Sequence, residues 1–386
     1  MEKVISEHQK PIKCWLDNIE ESAMKQAANL ANLPFTFKHI ALMPDCHSGY
    51  GMPIGGVLAT KGVVIPNAVG VDIGCGMCAV KTSLNGINRE VLNNIVERIK
   101  IAVPVGFNHQ TEPQEISLIP ICNERHPIVC KEFESARYQL GTLGGGNHFI
   151  EVQSDNDGTI WVMIHSGSRN LGKKVADHYN KIAIQMNERW HSEVKKEVEL
   201  AFLPIETEHG KRYFDEMNYC VDFALANRRL IMEQIKQCFV QEVPNVEFGE
   251  IINIAHNYAR FEHHFGDDVI VHRKGATFAG DGQIGIIPGS QGTKSYIVRG
   301  LGNPESFCSC SHGSGRRMGR KEAQRTLDLE TEIGIMERQG IIHGIKTVAD
   351  LDEAASAYKD IDVVMDNQKD LVEILVELRP LAVIKG

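Results

Sequence analysis

Five side chains that can bind a metal ion stand far apart in this chain, and their dispersal limits the folds it can adopt. Each one follows an apolar, strand-like run at the point where the run gives way to Gly, Ser or Asn. Strand ends hold a ligand rigidly, and the loop that follows leaves one side of an ion open. Because the five come from both halves of the sequence, we expect one integrated domain over residues 1–386. The five are Asp72, Cys75, His148, His165 and His256.

The mixture of thiolate, imidazole and carboxylate indicates the class of ion. Mg²⁺ and Ca²⁺ prefer oxygen ligands alone, whereas Mn²⁺, Fe²⁺, Co²⁺ and Zn²⁺ also accept nitrogen and sulfur. A lone Cys in a glycine-rich strand is usually a packing residue, and a lone His at a strand end is usually structural. The combination instead predicts an open transition-metal site. His148 and Glu151 point to opposite sides of an extended chain, so we expect them to have separate roles.

Composition excludes several classes of protein. No segment reaches the roughly 20 apolar residues of a membrane span, and residues 1–13 lack the apolar region of a secretory signal. We therefore predict a cytoplasmic protein without a membrane partner, in which most of the ten scattered cysteines are reduced thiols. We expect Cys14, Cys122, Cys130, Cys220 and Cys238 to be packing residues.

Charge and cysteine spacing argue against two further roles. A net charge of −9 argues against coating nucleic acid through bulk electrostatics. A local basic cluster at residues 316–325 still offers a small anion-binding surface. The Cys75–Cys78 pair resembles a redox motif, but a strand follows it instead of the helix that would lower a thiol pKa.

Hydrophobic spacing predicts an α+β fold of mixed β-sheets with inserted helices. With the dispersed ligands, we expect these sheets to form a metal-binding cleft and the helices to pack outside them. Gly-punctuated Val/Ile-rich stretches at 39–82 and 247–312 predict strands and turns, and 108–130 looks irregular. We predict that the pair His263–His264 lies at a helix end or in a loop. The predicted helices are 17–33, 88–101 with Asn88 as its cap, 172–197, 210–240, 316–338 and two segments within 349–378.

The segment Ser311–Arg316 contains the best candidate for a nucleophile. His312 is flanked by small residues, so a bulky phosphate can approach it closely, and Arg316 offers a planar, bidentate phosphate fork. An exposed loop histidine beside a helix is the simpler interpretation. Beside a metal site, however, an imidazole nitrogen can attack the α-phosphorus of a nucleoside triphosphate.

Two further segments each allow two interpretations. Residues 287–295 (IPGSQGTKS) are either an anion-binding turn or a plain tight turn, and they lack the closing G-K-[ST] of a Walker A loop. Lys385 follows an apolar run at the chain end. It belongs either to a solvated tail or to a docked strand that delivers the lysine to the site.

Together these segments resemble the RtcB-type RNA ligases, the GTP- and manganese-dependent ligases of tRNA splicing and RNA repair. The resemblance runs from residue 43 to the C-terminus and is closest to the shorter bacterial members. It rests on seven motifs in the family's order: PDCHSGYG, GVDIGCG, GGGNHFIE, HSGSR, AHNY, HRKGAT with IPGSQGTKS, and SHGSGR.

The resemblance implies a role for each matched residue. Cys75 would bridge two Mn²⁺ ions, with His165 and His256 completing one shell and Asp72 and His148 the other. His312 would be the guanylylated histidine. Asn147 and Arg316 would contact phosphate and support catalysis. The remaining matches would surround bound GTP: Phe149, Glu151, Ser290, Ser295, Gly313, Ser314, Gly315, Tyr358 and Lys385.

The implied reaction is a series of displacements at phosphorus. His312 attacks GTP and releases pyrophosphate, and the GMP then passes to an RNA 3′-phosphate formed from a 2′,3′-cyclic phosphate. An RNA 5′-hydroxyl finally attacks the activated end and expels GMP. A carboxylate such as Glu151 can accept hydrogen bonds from guanine that adenine cannot donate, which favours GTP.

The sequence also allows two other functions. One is a metal-dependent phosphohydrolase or nuclease without covalent guanylylation, and the other is a non-catalytic, metal-stabilised RNA-binding protein. Cys46 and Gly145 depart from the family's usual residues, so splicing and repair are equally compatible with the chain. We expect a monomer. The need for an archease-like activator and the roles of Asp45, His47 and Lys274 are left open.

Overall fold

Two large β-sheets build the α+β fold of the computed structural model, which describes residues 1–386. The strands are β1 (Lys3–Ile5), β2 (Ile12–Cys14), β3 (Thr36–Tyr50), β4 (Met52–Thr60), β5 (Val63–Val64), β6 (Gly76–Asn85), β7 (Phe149–Asp155), β8 (Thr159–Ser166), β9 (Leu203–Pro204), β10 (Ile252–Ala255), β11 (Asn257–His264), β12 (Asp267–Lys274), β13 (Ala276–Phe278), β14 (Ile284–Ile287), β15 (Ser295–Gly300), β16 (Ser309–Ser311) and β17 (Val372–Lys385). The helices are α1 (Glu21–Ala31), α2 (Pro66–Val69), α3 (Arg89–Ala102), α4 (Pro127–Gln139), α5 (Leu171–Arg189), α6 (Glu208–Glu242), α7 (Arg320–Thr326), α8 (Leu329–Arg338) and α9 (Ile361–Asp366).

Strands from distant parts of the chain alternate within each sheet. The six-stranded sheet has the order β1-β2-β3-β4-β12-β11, and the seven-stranded sheet has the order β10-β6-β8-β7-β17-β15-β14. The last strand of the chain, β17, lies inside the second sheet between β7 and β15, where Lys385 pairs with Phe149. The C-terminal run is therefore a docked strand, and the α+β prediction is confirmed.

Helices cover the seven-stranded sheet on one face. Asn88 caps α3 by accepting a hydrogen bond from the Val91 N–H at 2.9 Å, as predicted. The buried face of this helix packs with α6 and the sheet in a core of 21 buried residues. A second core of 20 buried residues joins the two sheets, with Val271 of β12 and Val298 of β15 among its members. No helix combines the length and apolar character that a membrane crossing requires.

Several element predictions are wrong. The single helix expected at 316–338 is two helices, because Asp328 accepts a hydrogen bond from the Thr331 N–H and so begins α8 as a separate helix. Of the helical segments expected in 349–378, only α9 is an α-helix; two 3₁₀ turns precede it. Residues 372–378 belong to β17 instead, because backbone pairing with β15 satisfies that segment.

Smaller corrections concern individual boundaries and side chains. The helix expected over 172–197 ends at Arg189, and β3 is one long, bulged strand instead of several short ones. His263 and His264 end strand β11 instead of lying at a helix end or in a loop. Cys130 is exposed, so it is not a packing residue, whereas Cys14, Cys220 and Cys238 are buried.

Candidate active site

The five proposed metal ligands meet at one end of the seven-stranded sheet. Asp72 and Cys75 precede β6, His148 precedes β7, His165 lies near the end of β8, and His256 joins β10 to β11. Strand pairing brings these ends together, because Gly76 pairs with Ser166 on one side and with Ala255 on the other. A side chain at Gly76 would lie 2.0 Å from the Ile254 carbonyl oxygen, so this close approach requires glycine.

The ligand atoms form two groups that share one sulfur. Cys75 Sγ lies 3.2 Å from His165 Nε2 and 3.4 Å from His148 Nε2. His165 Nε2 lies 3.4 Å from His256 Nε2, and His148 Nε2 lies 3.6 Å from Asp72 Oδ2. Within each group, Cys75–His165–His256 and Asp72–Cys75–His148, the ligand atoms lie within 4.8 Å of one another.

Hydrogen bonds on the far side of two rings prepare them to bind a cation. His148 Nδ1 donates to the Leu143 carbonyl at 2.9 Å, and His165 Nδ1 donates to the Asn147 carbonyl at 3.1 Å. A carbonyl only accepts, so Nε2 of each ring carries a lone pair that faces the cluster. The Asp72 side chain is 43% exposed, which leaves the cluster open on that side. The donor set therefore suits a pair of borderline divalent cations.

Burial sets the protonation of the cluster. It lowers the pKa of His165 and His256 well below the usual histidine value, so both rings are neutral at pH 7. Burial, with the negative charge of Asp72, raises the pKa of the Cys75 thiol well above its usual value. This sulfur becomes a thiolate only when a bound cation takes the place of its proton.

A polar cleft of about 370 Å³ lies against this cluster. That volume falls within the roughly 300–1,000 Å³ range of small-molecule pockets. The rings of His312 in the cleft and His256 in the cluster meet edge to face, with their centroids 4.8 Å apart. The cleft is lined by these sequence-predicted residues: Asn147, Phe149, Glu151, His165, Ser290, His312, Gly313, Ser314, Gly315, Arg316, Tyr358 and Lys385.

The buried carboxylate of Asp45 orients the ring of His312. Asp45 Oδ2 accepts hydrogen bonds from His312 Nδ1 at 2.6 Å, from the His312 N–H at 3.0 Å and from the Gly313 N–H at 3.3 Å. Burial opposes ionisation of Asp45, but the His312 contacts, together with the nearby charge of Lys359, outweigh it and hold the carboxyl pKa below its usual range. With Nδ1–H donated to Asp45, the lone pair of the ring is on Nε2. The sequence left the role of Asp45 open.

One wall of the cleft is fixed by hydrogen bonds behind it. Gln153 Nε2 donates to Glu151 Oε2 at 2.6 Å and to Ser295 Oγ at 3.2 Å, and the Gly289 N–H donates to the same Ser295 oxygen at 3.1 Å. Ser295 is thus buried behind the wall and does not line the cleft. Glu151 faces the cleft while His148 faces the ligand cluster, which agrees with their expected separation. Burial raises the pKa of Glu151 to about 8.

The turn at residues 287–295 uses much of its hydrogen-bonding capacity internally. The Ser290 N–H donates to Thr293 Oγ1 at 2.7 Å, and the Gly289 N–H is taken by Ser295. Two of the N–H groups that an anion-binding turn would offer are therefore occupied. The geometry favours the plain-turn interpretation.

A buried glutamate that the sequence analysis missed holds the basic side of the cleft. Glu353 is 2% exposed and pairs with Arg316 at 3.1 Å and with Arg320 at 2.7 Å. It also accepts a hydrogen bond from the hydroxyl of Tyr358. No motif in the sequence pointed to Glu353. Of the basic cluster at 316–325, only Arg316 and Arg320 line the cleft.

Two residues of open role lie in different places. His47 lines the cleft and its Nδ1 donates to the Asp45 carbonyl at 3.0 Å, and burial lowers its pKa to about 4. Lys274 lies outside the cleft lining, and its ammonium donates to the Tyr50 carbonyl at 2.6 Å and to the Asn67 carbonyl at 3.2 Å. Only His47 is placed to meet a ligand in the cleft.

Comparison with known proteins gives the family. The model of the family described as tRNA-splicing ligase RtcB matches residues 26–127 and 121–386. The chain is 40% identical to the RNA-splicing ligase RtcB of Escherichia coli (strain K12) over 404 residues, which cover 97% of each protein. It is 31% and 32% identical to the tRNA-splicing ligases RtcB of Thermococcus kodakarensis and Archaeoglobus fulgidus, over 95% of this chain and 92% of each relative. This chain therefore belongs to the RtcB family.

Proposed function

We propose that this protein is an RNA ligase that uses GTP and two Mn²⁺ ions. It joins RNA ends that carry a 3′-phosphate or 2′,3′-cyclic phosphate to RNA ends that carry a 5′-hydroxyl. The observation that carries the proposal is the position of His312, whose ring lies between the cleft and the ligand cluster and is oriented by Asp45. The names of the relatives, all of them RNA- or tRNA-splicing ligases, support the substrate class.

His312 is the nucleophile in this proposal. Its Nε2 attacks the α-phosphorus of GTP, the Nε2–P bond forms, the bond to the bridging oxygen breaks, and pyrophosphate leaves. An oxygen of the RNA 3′-phosphate then attacks the same phosphorus, and the Nε2–P bond breaks. The RNA 5′-hydroxyl finally attacks the 3′-phosphorus, loses its proton and expels GMP. A 2′,3′-cyclic phosphate is first opened by water to the 3′-phosphate.

Residues of the ligand cluster would hold the two ions. Cys75 would be shared, His165 and His256 would complete one site, and Asp72 and His148 the other. When bound, two divalent cations neutralise phosphate charge and favour displacement at phosphorus. Asn147 and Arg316 line the cleft beside His312 and are the candidates for contacting the phosphates.

Glu151 would select guanine over adenine. Its carboxylate can accept hydrogen bonds from the N1–H and the exocyclic amine of guanine, and adenine offers no such pair of donors. Phe149 on the same strand lines the cleft, as does Lys385, whose ammonium lies 5.8 Å from the centre of the Phe149 ring. Ser290 and Tyr358 complete the set of candidate nucleoside contacts. Ser295 would act only through Gln153 and the turn.

The decisive experiment looks for a covalent adduct between GMP and His312. The protein is incubated with α-labelled GTP and Mn²⁺, and acid-labile label on the polypeptide is measured, followed by ligation of an RNA pair with defined ends. We expect label on the wild type and none on His312→Ala. His263→Ala is the matched control, because His263 is exposed at the end of β11 and pairs only with Asp268.

The same experiment separates the alternatives. A phosphohydrolase or nuclease would cleave RNA without carrying label, and His312→Ala would keep that activity. A non-catalytic RNA-binding protein would show neither label nor turnover, and chelation of the metal would lower only its thermal stability. Either result would overturn the proposed ligase.

We further propose that the chain works as a monomer in the cytoplasm. Light scattering coupled to size-exclusion chromatography measures its mass directly, and a dimeric mass would contradict this. Multiple-turnover ligation with and without an added archease-like protein tests for an activator. A rise in the turnover number would identify one.

A further inference from the structure

Lys359 lies beside the segment that carries Asp45. Its ammonium donates to the Pro44 carbonyl at 3.4 Å and to the Cys46 carbonyl. These carbonyls flank Asp45 in the sequence, so one side chain holds the backbone on both sides of the carboxylate. The ammonium contacts neither the cleft lining nor His312 itself. Any effect of this ammonium on His312 must therefore act through the segment that carries Asp45.

The backbone of Lys359 is fixed to the loop that carries His312. The Lys359 N–H donates to the Gly315 carbonyl at 2.9 Å, and the Arg317 N–H donates to the Ala357 carbonyl at 3.0 Å. A side chain at Gly315 would lie 2.1 Å from the Asp45 carbonyl oxygen, so glycine lets this loop lie directly against the Asp45 segment. Hydrogen bonds thus join three segments behind the nucleophile, namely residues 44–46, 312–315 and 357–359.

The positive charge of Lys359 also offsets the buried negative charge of Asp45. The Asp45 side chain is fully buried, and its Oδ1 has no hydrogen-bond partner. A buried carboxylate with only neutral donors around it is costly unless a cation lies near. The half-buried ammonium of Lys359, held at the two neighbouring carbonyls, is a cation placed to offset that cost.

We propose that Lys359 is a positioning residue for guanylylation: it fixes the Asp45 segment and offsets its charge so that Asp45 holds the His312 ring in its reactive orientation. The inference rests on the proposed function, because it concerns the same nucleophile. It assigns Lys359 no contact with GTP or RNA and no proton transfer.

Three variants test the proposal. Lys359→Met removes the charge and the donors at similar length, and Lys359→Arg keeps both. Lys236→Met is the matched control, because Lys236 is 19% exposed on α6, outside the cleft lining, where it pairs with Glu233 and lies 5.6 Å from the centre of the Phe248 ring. Equilibrium binding of GTP and the single-turnover rate of adduct formation are measured for each, and a crystal structure of Lys359→Met shows the Asp45–His312 contact.

We expect Lys359→Met to form the adduct about 100-fold more slowly, the scale on which a displaced reacting group loses rate. Its GTP affinity should be unchanged, the 2.6 Å contact between Asp45 and His312 should be lost, and Lys359→Arg should recover most of the rate. An unchanged rate, an intact contact, or equal slowing in both variants overturns the positioning role. A Lys359→Met protein that unfolds or loses GTP affinity also overturns it, since the lysine then supports the fold in general. A wild type that forms no adduct overturns the proposed function and this inference with it.

Discussion

Replacing Glu151 by Gln should stabilise the protein without bound GTP at alkaline pH. The same change should weaken its preference for GTP over ATP. Glu151 is 2% exposed on β7, and its carboxylate accepts a hydrogen bond from Gln153 Nε2 at 2.6 Å. Burial raises its pKa from 4.5 to about 8, because that hydrogen bond and the charge of Lys385 offset only part of the desolvation. Between these two pKa values, Glu151 keeps its proton in the native protein but has lost it in the unfolded chain.

The sign and size of the effect follow from proton linkage. Between pH 4.5 and about 8 the native state binds more protons at Glu151 than the unfolded state does, so the free energy of unfolding falls as pH rises. Each pKa unit corresponds to about 1.4 kcal/mol, so the full effect is at most about 5 kcal/mol and is complete above about pH 8. A glutamine is neutral throughout and removes this loss.

Urea unfolding followed by tryptophan fluorescence measures the free energy of unfolding of wild type and Glu151→Gln at intervals from about pH 5 to about pH 9. The two proteins should have similar stability at the acidic end, and Glu151→Gln should be more stable by several kcal/mol at the alkaline end. Glu373→Gln, which removes an exposed carboxylate from β17 of the same sheet, should follow the wild-type profile. Parallel profiles for wild type and Glu151→Gln would refute burial as the source of the effect.

The same residue should make GTP binding pH-dependent. Guanine's two donors favour the ionised carboxylate, so the affinity of the wild type for GTP should rise with pH and level off above about pH 8. Glu151→Gln should lose this rise and most of the preference for GTP over ATP. An unchanged GTP-to-ATP ratio in the variant would show that guanine binds elsewhere.

Three further substitutions test the nucleophile, the ligand cluster and a buried arginine beside that cluster. Asp45→Asn keeps the side-chain volume but loses the negative charge that holds His312 Nδ1–H. The rate of adduct formation in single-turnover assays should fall by roughly 10⁴-fold, as for the orienting Asp of serine-protease triads. An unchanged rate would contradict this. Cys75→Ser should lower the amount of Mn²⁺ that the protein retains after dialysis, because both ligand groups contain this sulfur. Elemental analysis measures the retained metal, and full retention would exclude Cys75 as a shared ligand. Arg228 on α6 is fully buried, and its guanidinium donates to the Gly74 and Ser166 carbonyls at 2.9 Å. Arg228→Met should lower the free energy of unfolding by about 3 kcal/mol, because both buried carbonyls lose this donor; urea unfolding measures the loss, and a stability equal to wild type would contradict it.

Local features of the fold were predictable because they depend on neighbouring residues. The apolar face of α3 and its Asn88 cap follow from helical spacing and from a side chain three residues away. Strand β17 was not predictable in this way, because it forms by pairing with β7 and β15, which lie far away in the sequence. The sequence therefore indicated a docked C-terminus as one alternative but placed helix where residues 372–378 are strand.

The available chemistry can be read from the amino-acid sequence: the thiol, imidazole and carboxylate types, the glycines that allow close approach, and the order of the family's motifs. How these groups are used depends on the folded arrangement of distant segments. The contact between Asp45 and His312 joins residues 267 positions apart, and Glu353 has no motif that marks it. Burial and hydrogen bonding set the pKa of a group and the nitrogen on which a ring keeps its lone pair. Both depend on segments that meet only when the chain is folded.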